Sequence, residues 1–183
     1  AYTYAYNIFL NYVQDRYSNQ TESDYKDVLI LACISKPLIT WNAERTASIC
    51  RERCGGQGFL AANRFGEAIF GSHAGITAEG DNRVILQKVT KELLSMVDKK
   101  DVLYEQTIGK FVKNISNNKN LTKNNYYHSL LKKKESIVLS NLAKKMSQLD
   151  NKDLYETWMN KESNLVQEVA LSYGSRIVSE IFL

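Results

Sequence analysis

Residues 24–54 read DYKDVLILACISKPLITWNAERTASICRERC, and Gly55 and Gly56 follow directly. Apolar side chains recur in this stretch at intervals of three and four residues, as they do on one face of an α-helix. Its single proline, Pro37, is expected to kink the helix or to split it into two pieces. The glycine pair ends the helix, because glycine readily adopts the left-handed backbone that terminates helices. A long helical region with one break point is therefore predicted here.

Apolar residues at helical spacing indicate further helices on both sides of this region. One is predicted around Tyr6 to Val13, one from Asn82 to Val97, one from Val102 to Ile115, and two long ones through Leu130 to Met146 and through Leu154 to Ile177. One proline and nine glycines in 183 residues leave little turn chemistry for strands and hairpins. We therefore predict an all-α fold, built as a helical bundle.

Two stretches lack this periodicity and are predicted to be connections. In residues 57–80, glycines interrupt a segment that holds few periodic apolar residues. Long irregular connections of this kind often carry function. Residues 116–125 are almost purely Asn, Lys and Thr, which predicts a mobile loop. Asp81 stands where it can cap the helix that begins at Asn82.

Charge and composition narrow the classes of function. The 24 lysines and arginines against 20 acidic residues leave a net charge of +4, too small and too scattered to indicate a nucleic-acid partner. The longest apolar run, Val28 to Ile34, is far shorter than the roughly 20 residues that a membrane span needs. Three cysteines do not form a disulfide framework, so we expect reduced thiols in an intracellular compartment.

The residues that suggest chemistry form two short motifs about twenty residues apart. Residues 50–59 read CRERCGGQGF, and residues 77–82 read TAEGDN. Three glycines in four positions permit positive φ angles and the close approach of a ligand to the backbone. A helix-ending glycine followed by a turn explains Gly55 or Gly56 alone. It does not explain why Gly58 is needed as well.

Glu79 is the candidate catalytic residue of the second motif. Its carboxylate precedes a helix start, beside Gly80, which permits a sharp turn. The simplest interpretation is a favourable interaction with the helix dipole, worth roughly 0.3–1 kcal/mol. Desolvation by an apolar ligand would act on the carboxylate more strongly than that. Glu79 would then be a base able to work near neutral pH.

Together the two motifs and the apolar helix after them resemble the C-terminal helical region of acyl-CoA oxidases and oxidase-like acyl-CoA dehydrogenases. The resemblance is most specific from Trp41 to about Leu94, where both motifs stand in the family's order and spacing. It implies FAD-dependent dehydrogenation of a fatty acyl-CoA thioester to the trans-2-enoyl-CoA in fatty acid β-oxidation. Relatives carry an α-helical and a β-barrel domain ahead of this region. We therefore expect the chain to be the C-terminal part of a longer polypeptide.

The same resemblance implies roles for individual residues. Glu79 matches the glutamate that removes the α-proton, and its backbone N–H helps to polarise the thioester carbonyl. Gly80 and Arg83 would bind the acyl-CoA substrate. The cofactor-binding residues would be Gly55, Gly56, Gln57, Gly58 and Asp81. The glycine loop matches a stretch that approaches the FAD of the neighbouring subunit, which implies a homodimer.

The resemblance also implies how the chain is organised. Residues 1–97 are predicted to form the acyl-CoA oxidase/dehydrogenase-like C-terminal bundle, and residues 98–183 a second C-terminal helical region. Alone, the chain is expected neither to hold FAD tightly nor to turn over substrate. Its compartment stays open between peroxisome and mitochondrion. A second interpretation, a non-catalytic helical dimerisation or binding module on the same scaffold, also stays open.

Other candidate residues have simple structural explanations. The two histidines are too isolated to indicate a metal site, and Cys50 and Cys54 lack a second pair of ligands, so no metal is expected. Arg51 and Arg53 flank the glycine turn. They are able either to bind a phosphate or to stabilise the end of their own helix.

Overall fold

The computed structural model describes residues 10, 11, 14, 15, 17, 18, 25–97 and 123–181. Within these ranges the chain is helical and holds no strand, which confirms the all-α prediction. The main helices are α1 (Tyr25–Arg53), α2 (Phe65–Thr77), α3 (Asn82–Val97), α4 (Lys123–Ser147), α5 (Asn151–Glu156) and α6 (Ser163–Ile181). The helix predicted from Val102 to Ile115 lies outside the described residues, as do most of the first predicted helix and most of the predicted loop 116–125.

Helix α1 is one continuous element with Pro37 inside it, so of the two expected outcomes, a kink or a split, the split into two pieces is excluded. A proline inside a helix removes one hydrogen bond and costs about 3 kcal/mol in an isolated helix. Here Pro37 is almost completely buried. Ile34 and Leu38, on either side of it, both reach α6 at Gly174. This packing holds the two halves of the helix in register.

The stretch 57–80 is not the irregular connection that the sequence predicts. Two short 3-10 turns, Gly55–Phe59 and Ala61–Asn63, lead into α2, a 13-residue helix that packs along α1. Glycine in a helix costs about 1 kcal/mol relative to alanine. Packing on α1 compensates for that cost, and at one position the close approach of the two helices favours a glycine. A Cβ added at Gly75 would lie 3.1 Å from the Thr40 Cγ2 of α1.

The core is one continuous cluster to which α1, α3, α4 and α6 all contribute. Its buried members are Ile30, Leu31, Ile34, Leu86, Val89, Leu93, Val138, Leu139, Leu142, Val166, Val169, Ala170, Tyr173 and Ile177. A buried hydrogen bond of 2.6 Å from Thr90 Oγ1 to the Val166 carbonyl ties α3 to α6. The division of the chain at residue 97 stays a prediction, although helices from both sides of it share this core.

The remaining sequence predictions concern α3 and the end of the chain. The helix from Asn82 to Val97 and the long helix through Leu130 to Met146 are confirmed. The last predicted helix is divided, because a π-helical turn, Thr157–Lys161, joins α5 to α6. Among the helices that the structure describes, none has both the length and the apolar character that crossing a membrane requires.

Candidate functional site

The turn between α2 and α3 carries Glu79 in an unusual backbone conformation. Ala78 has φ −61° and ψ 146°, and Glu79 follows with φ 59°. These are φ angles of the two central positions of a type II turn, where the second position normally holds glycine or asparagine. Gly80 continues with φ 104°, a value that glycine tolerates and other residues rarely adopt. Two consecutive residues with positive φ therefore form the entrance to α3.

A glutamate in this conformation is strained. The left-handed region costs a residue with a Cβ roughly 1–2 kcal/mol relative to the right-handed region. Glycine at position 79 would avoid that cost, yet the chain has a glutamate there, and its side chain is exposed. Residues held in such conformations cluster at functional sites. The strained backbone and the sequence motif therefore both indicate Glu79 as a candidate functional residue.

Asp81 caps α3, as its position in the sequence predicts. Its Oδ1 accepts a hydrogen bond of 2.8 Å from the Arg83 N–H and one of 3.4 Å from the Val84 N–H. The Arg83 guanidinium in turn donates to Gln167 Oε1 of α6 at 2.9 Å. Both residues are exposed, as is Glu79. The predicted catalytic and substrate-binding residues, Glu79, Gly80 and Arg83, lie within five residues of one another, at the turn and the start of α3.

The glycine loop after α1 has three glycines with three different explanations. Gly55 has φ 56° and ends the helix, as the simple interpretation proposed. Gly58 is buried, and a Cβ there would lie 2.3 Å from the Arg51 carbonyl oxygen, so packing alone requires it to be glycine. Gly56 is exposed, and a Cβ there would meet nothing within 4 Å. Of the three glycines, Gly56 is the one for which the described residues give no structural reason.

The glycine loop and the Glu79 turn lie far apart within the chain. Gly58 rests on Arg51, whereas the Gly80 carbonyl accepts a hydrogen bond from Lys36. Arg51 and Lys36 are 15 residues apart on one helix, which at 1.5 Å per residue corresponds to roughly 22 Å. The predicted cofactor loop and the predicted base of one chain therefore do not face each other.

The structure adds a polar network that the sequence did not reveal. Lys36 Nζ donates to the Ile76 carbonyl at 3.0 Å, to the Gly80 carbonyl at 2.5 Å and to Asn82 Oδ1 at 2.8 Å. Asn82 Nδ2 donates to Thr40 Oγ1 at 2.9 Å. The partners are 40 to 46 residues apart in sequence, so periodicity could not connect them. The available signal was a lysine beside the proline of α1, just after the apolar run Val28 to Ile34.

The other sequence candidates take part in local contacts. The Arg51 guanidinium lies over the Phe59 ring, 4.8 Å from its centroid. His73 Nε2 is 3.9 Å from Glu44 Oε1 on α1. All three cysteines are free. In the described part of the chain, no three His, Cys, Asp or Glu residues come together as a metal site would require.

Comparison with known proteins identifies relatives for the first half of the chain and for the fold. A family model described as "Acyl-CoA oxidase, C-alpha1 domain" matches residues 1–94. Peroxisomal acyl-coenzyme A oxidase 3 of Homo sapiens is 39% identical over 83 residues, which are 45% of this chain and 12% of that protein. Acyl-coenzyme A oxidase 2, peroxisomal, of Arabidopsis thaliana is 36% identical over 104 residues, 55% of this chain and 15% of that protein.

One solved structure resembles the chain over nearly its whole length. The crystal structure of acyl-CoA oxidase3 from Yarrowia lipolytica matches with a TM-score of 0.73 and 17% sequence identity. The match covers 99% of this chain and 30% of that one, so it extends through α4, α5 and α6. At this identity the similarity concerns the fold. The chain spans less than a third of the length of each of these relatives.

Proposed function

The chain belongs to the acyl-CoA oxidase family, with the C-alpha1 domain in residues 1–94, and on that premise we propose that it is the C-terminal part of an FAD-dependent acyl-CoA oxidase or dehydrogenase. The reaction is the α,β-dehydrogenation of a fatty acyl-CoA to the trans-2-enoyl-CoA. One observation carries the proposal: an exposed glutamate, Glu79, stands in a strained left-handed turn at the start of α3.

In the proposed reaction Glu79 is the base. Its carboxylate takes the proton from the α-carbon, and the electron pair of that C–H bond becomes part of the new C=C bond. When bound, FAD supplies the acceptor for the hydride that leaves the β-carbon. The backbone N–H of Glu79, by resemblance to the family, helps to polarise the thioester carbonyl. Because Glu79 is exposed in this chain, the shielding from water that a base needs comes from the bound acyl chain and the parts of the enzyme that cover this face.

The residues present are compatible with a contribution to a flavin site. Gly56 and Gln57 are exposed residues, and among the described residues nothing would lie within 4 Å of a Cβ at Gly56. Asp81 uses Oδ1 for its cap and lies two residues from Glu79. In the proposal the loop of Gly55, Gly56, Gln57 and Gly58 contributes to the FAD site, with buried Gly58 shaping the loop, and Asp81 contributes at the base's end of the site.

The working unit is proposed to be a homodimer. Within one chain roughly 22 Å of helix α1 separates the glycine loop from the Glu79 turn. This separation supports an arrangement in which the loop serves the flavin of one active site and Glu79 serves the other. Phe59 and Phe70 are 79% and 82% exposed, apolar surface that a second subunit or another domain would cover.

The substrate is proposed to be a fatty acyl-CoA and the compartment the peroxisome. Gly80 and Arg83 border Glu79 and are assigned to the substrate. The names of the human and Arabidopsis relatives support the peroxisome over the mitochondrion.

The test is the Glu79→Gln variant of the full-length protein. An amide has the shape of the carboxylate but accepts no proton, so reduction of bound flavin by acyl-CoA should fall by at least 100-fold, as expected for loss of a general base, while flavin content stays unchanged. Glu67→Gln is the matched control, because Glu67 is an exposed glutamate on the preceding helix α2. Wild-type rates in the Glu79→Gln variant would remove Glu79 from the mechanism.

The alternative is a non-catalytic helical dimerisation or binding module on the same scaffold. The exposed aromatic side chains Phe59 and Phe70 favour it as well, since both functions need a covered surface. An assay of the wild-type full-length protein distinguishes the two functions. A binding module would show no flavin reduction by acyl-CoA.

A further inference from the structure

Lys36 holds the chain on both sides of Glu79. Its ammonium donates to the Ile76 carbonyl near the end of α2, and to the Gly80 carbonyl directly after Glu79. Its third bond goes to Asn82 Oδ1 at the start of α3. An ammonium has three N–H donors, and each of them has an acceptor here. One side chain of α1 therefore ties together the end of α2, the turn and the start of α3.

Lys36 is itself fixed from its own helix. Thr40, one turn further along α1, donates from Oγ1 to the Lys36 carbonyl at 2.9 Å and accepts from Asn82 Nδ2 at 2.9 Å. Asn82 is completely buried, and both ends of its amide are satisfied by this network. Buried networks in which every member is satisfied are rigid. The three residues thus form a closed polar ring between α1 and the turn.

The turn needs such a support because its backbone is strained. Glu79 has φ 59°, and its neighbour Gly80 has φ 104°. A strained conformation persists only where the surrounding structure holds it. The Lys36 bonds act on the residues before and after Glu79 and leave the Glu79 side chain pointing outward, exposed.

We propose that Lys36 is a positioning residue for the catalytic base. It keeps the Glu79 turn closed and so fixes the carboxylate relative to the α-carbon of the acyl-CoA. The inference rests on the proposed function, in which Glu79 is that base. Lys36 acts through the backbone of the turn and touches neither substrate nor cofactor. Displacing a reacting group by about 1 Å can lower a rate by about 100-fold.

The test compares Lys36→Met, Glu79→Gln and the double variant with the wild type, all as full-length holoenzymes. Lys36→Met keeps the aliphatic stem and removes the three donors. The maximal rate of flavin reduction should fall by about 10- to 100-fold, with the half-saturating acyl-CoA concentration and the flavin content nearly unchanged. In the double variant the rate should be no lower than in Glu79→Gln alone, because there is no base left to position.

Amide hydrogen exchange provides a readout that does not depend on activity. In Lys36→Met, exchange should become faster in residues 77–82, with the core amides of α1 and α6 unchanged. Lys26→Met is the matched control: Lys26 is a lysine on the same helix that donates to Ser95 Oγ at 3.4 Å, and its replacement should change neither rate nor exchange.

The outcomes separate the two proposals. If Glu79→Gln loses activity while Lys36→Met keeps the wild-type rate, the positioning role is wrong and the proposed function stands. Wild-type rates in Glu79→Gln overturn the proposed function, and the positioning role with it. A Lys36→Met variant that slows Glu79→Gln further, or loses flavin, also contradicts the positioning role.

Thr40→Val is the second variant, for the case that Lys36→Met does not fold. It preserves the shape of the side chain and removes only the hydroxyl that joins Asn82 to α1. A smaller loss in maximal rate, again without a change in half-saturation, is expected. An unchanged rate together with unchanged exchange in residues 77–82 would contradict the proposal.

Discussion

At position 79 the backbone conformation and the proposed chemistry favour different residue types. The turn favours glycine, because φ is 59°, whereas the proposed chemistry needs a carboxylate. The free energy of unfolding reports the backbone preference alone, because it is measured independently of activity. Strain that persists at a functional residue predicts that removing the residue stabilises the fold.

Glu79→Gly should therefore be more stable than Glu79→Ala, while both lose activity. The left-handed region costs alanine roughly 1–2 kcal/mol, and glycine loses about 0.5–1 kcal/mol through greater freedom in the unfolded chain. The net gain of glycine over alanine is about 0.5–1 kcal/mol in the free energy of unfolding, measurable by urea denaturation. An alanine variant as stable as the glycine variant would show that the turn is not strained.

Gly58 and Gly56 form a matched pair in the glycine loop. A Cβ at Gly58 would lie 2.3 Å from the backbone oxygen of Arg51, and backbone cannot move aside as a flexible side chain can. Gly58→Ala should lower the free energy of unfolding by about 1–3 kcal/mol, as overpacking does. Gly56→Ala meets open space and should leave stability unchanged. In the full-length protein, Gly56→Ala should instead weaken flavin binding, measured as flavin content after gel filtration. Equal free energies of unfolding in Gly58→Ala and Gly56→Ala would contradict the different roles of the two glycines.

Among the elements, α2 shows what the sequence could and could not predict. Helices α3, α4 and α6 place periodic apolar residues in the core, so their periodicity was informative. No residue of α2 is buried in this chain, and its glycines suggested an irregular loop. It folds as a helix because it packs on α1, a contact between residues far apart in sequence. The Lys36 network was missed for the same reason. The Asp81 cap was predicted because its signal is local, and the catalytic role of Glu79 stays a prediction.

The contact between α4 and α6 contains a buried titratable group, His128. Its side chain lies between the helices, with Nδ1 3.3 Å from Ser179 Oγ. Burial, and after it the charge of Lys132, lowers the pKa of His128 from its usual value of 6.5. Beside it, Arg176 Nε donates to Glu135 Oε2 at 2.8 Å. The charged groups that act on His128 are Lys132, Glu180, Arg176 and Glu135.

Stability should therefore decrease as pH falls below about 6.5. With a lowered pKa the folded protein binds fewer protons than the unfolded chain between the folded-state pKa and 6.5. The free energy of unfolding then rises with pH across that window and levels off above it. His128→Gln should remove this part of the pH dependence. His73→Gln is the control, because the His73 ring is exposed, and should preserve it; identical pH profiles for the wild type and His128→Gln would refute the assignment.

At the scale of the whole molecule, the described helices on both sides of the predicted boundary share one core. The family match ends at residue 94, and the sequence places a boundary at residue 97. Yet α6 packs against α1 so closely that Gly174 leaves no room for a Cβ beside Ile34 and Leu38. The Trp158 indole N–H also reaches Gln87 Oε1 of α3 at 3.3 Å. The described helices on the two sides of the boundary therefore bury apolar surface against each other.

The chain should accordingly unfold in one transition, which its two tryptophans can test. Trp41 lies on α1 and Trp158 in the π-helical turn, on opposite sides of the boundary, and both pack against the shared core. In Trp158→Phe the fluorescence reports Trp41, and in Trp41→Phe it reports Trp158. Within each variant the urea midpoint of fluorescence should equal the midpoint of helical circular dichroism, as for a two-state protein. If Trp158 fluorescence changes at a different urea concentration from the helical signal, the C-terminal helices unfold as a separate unit.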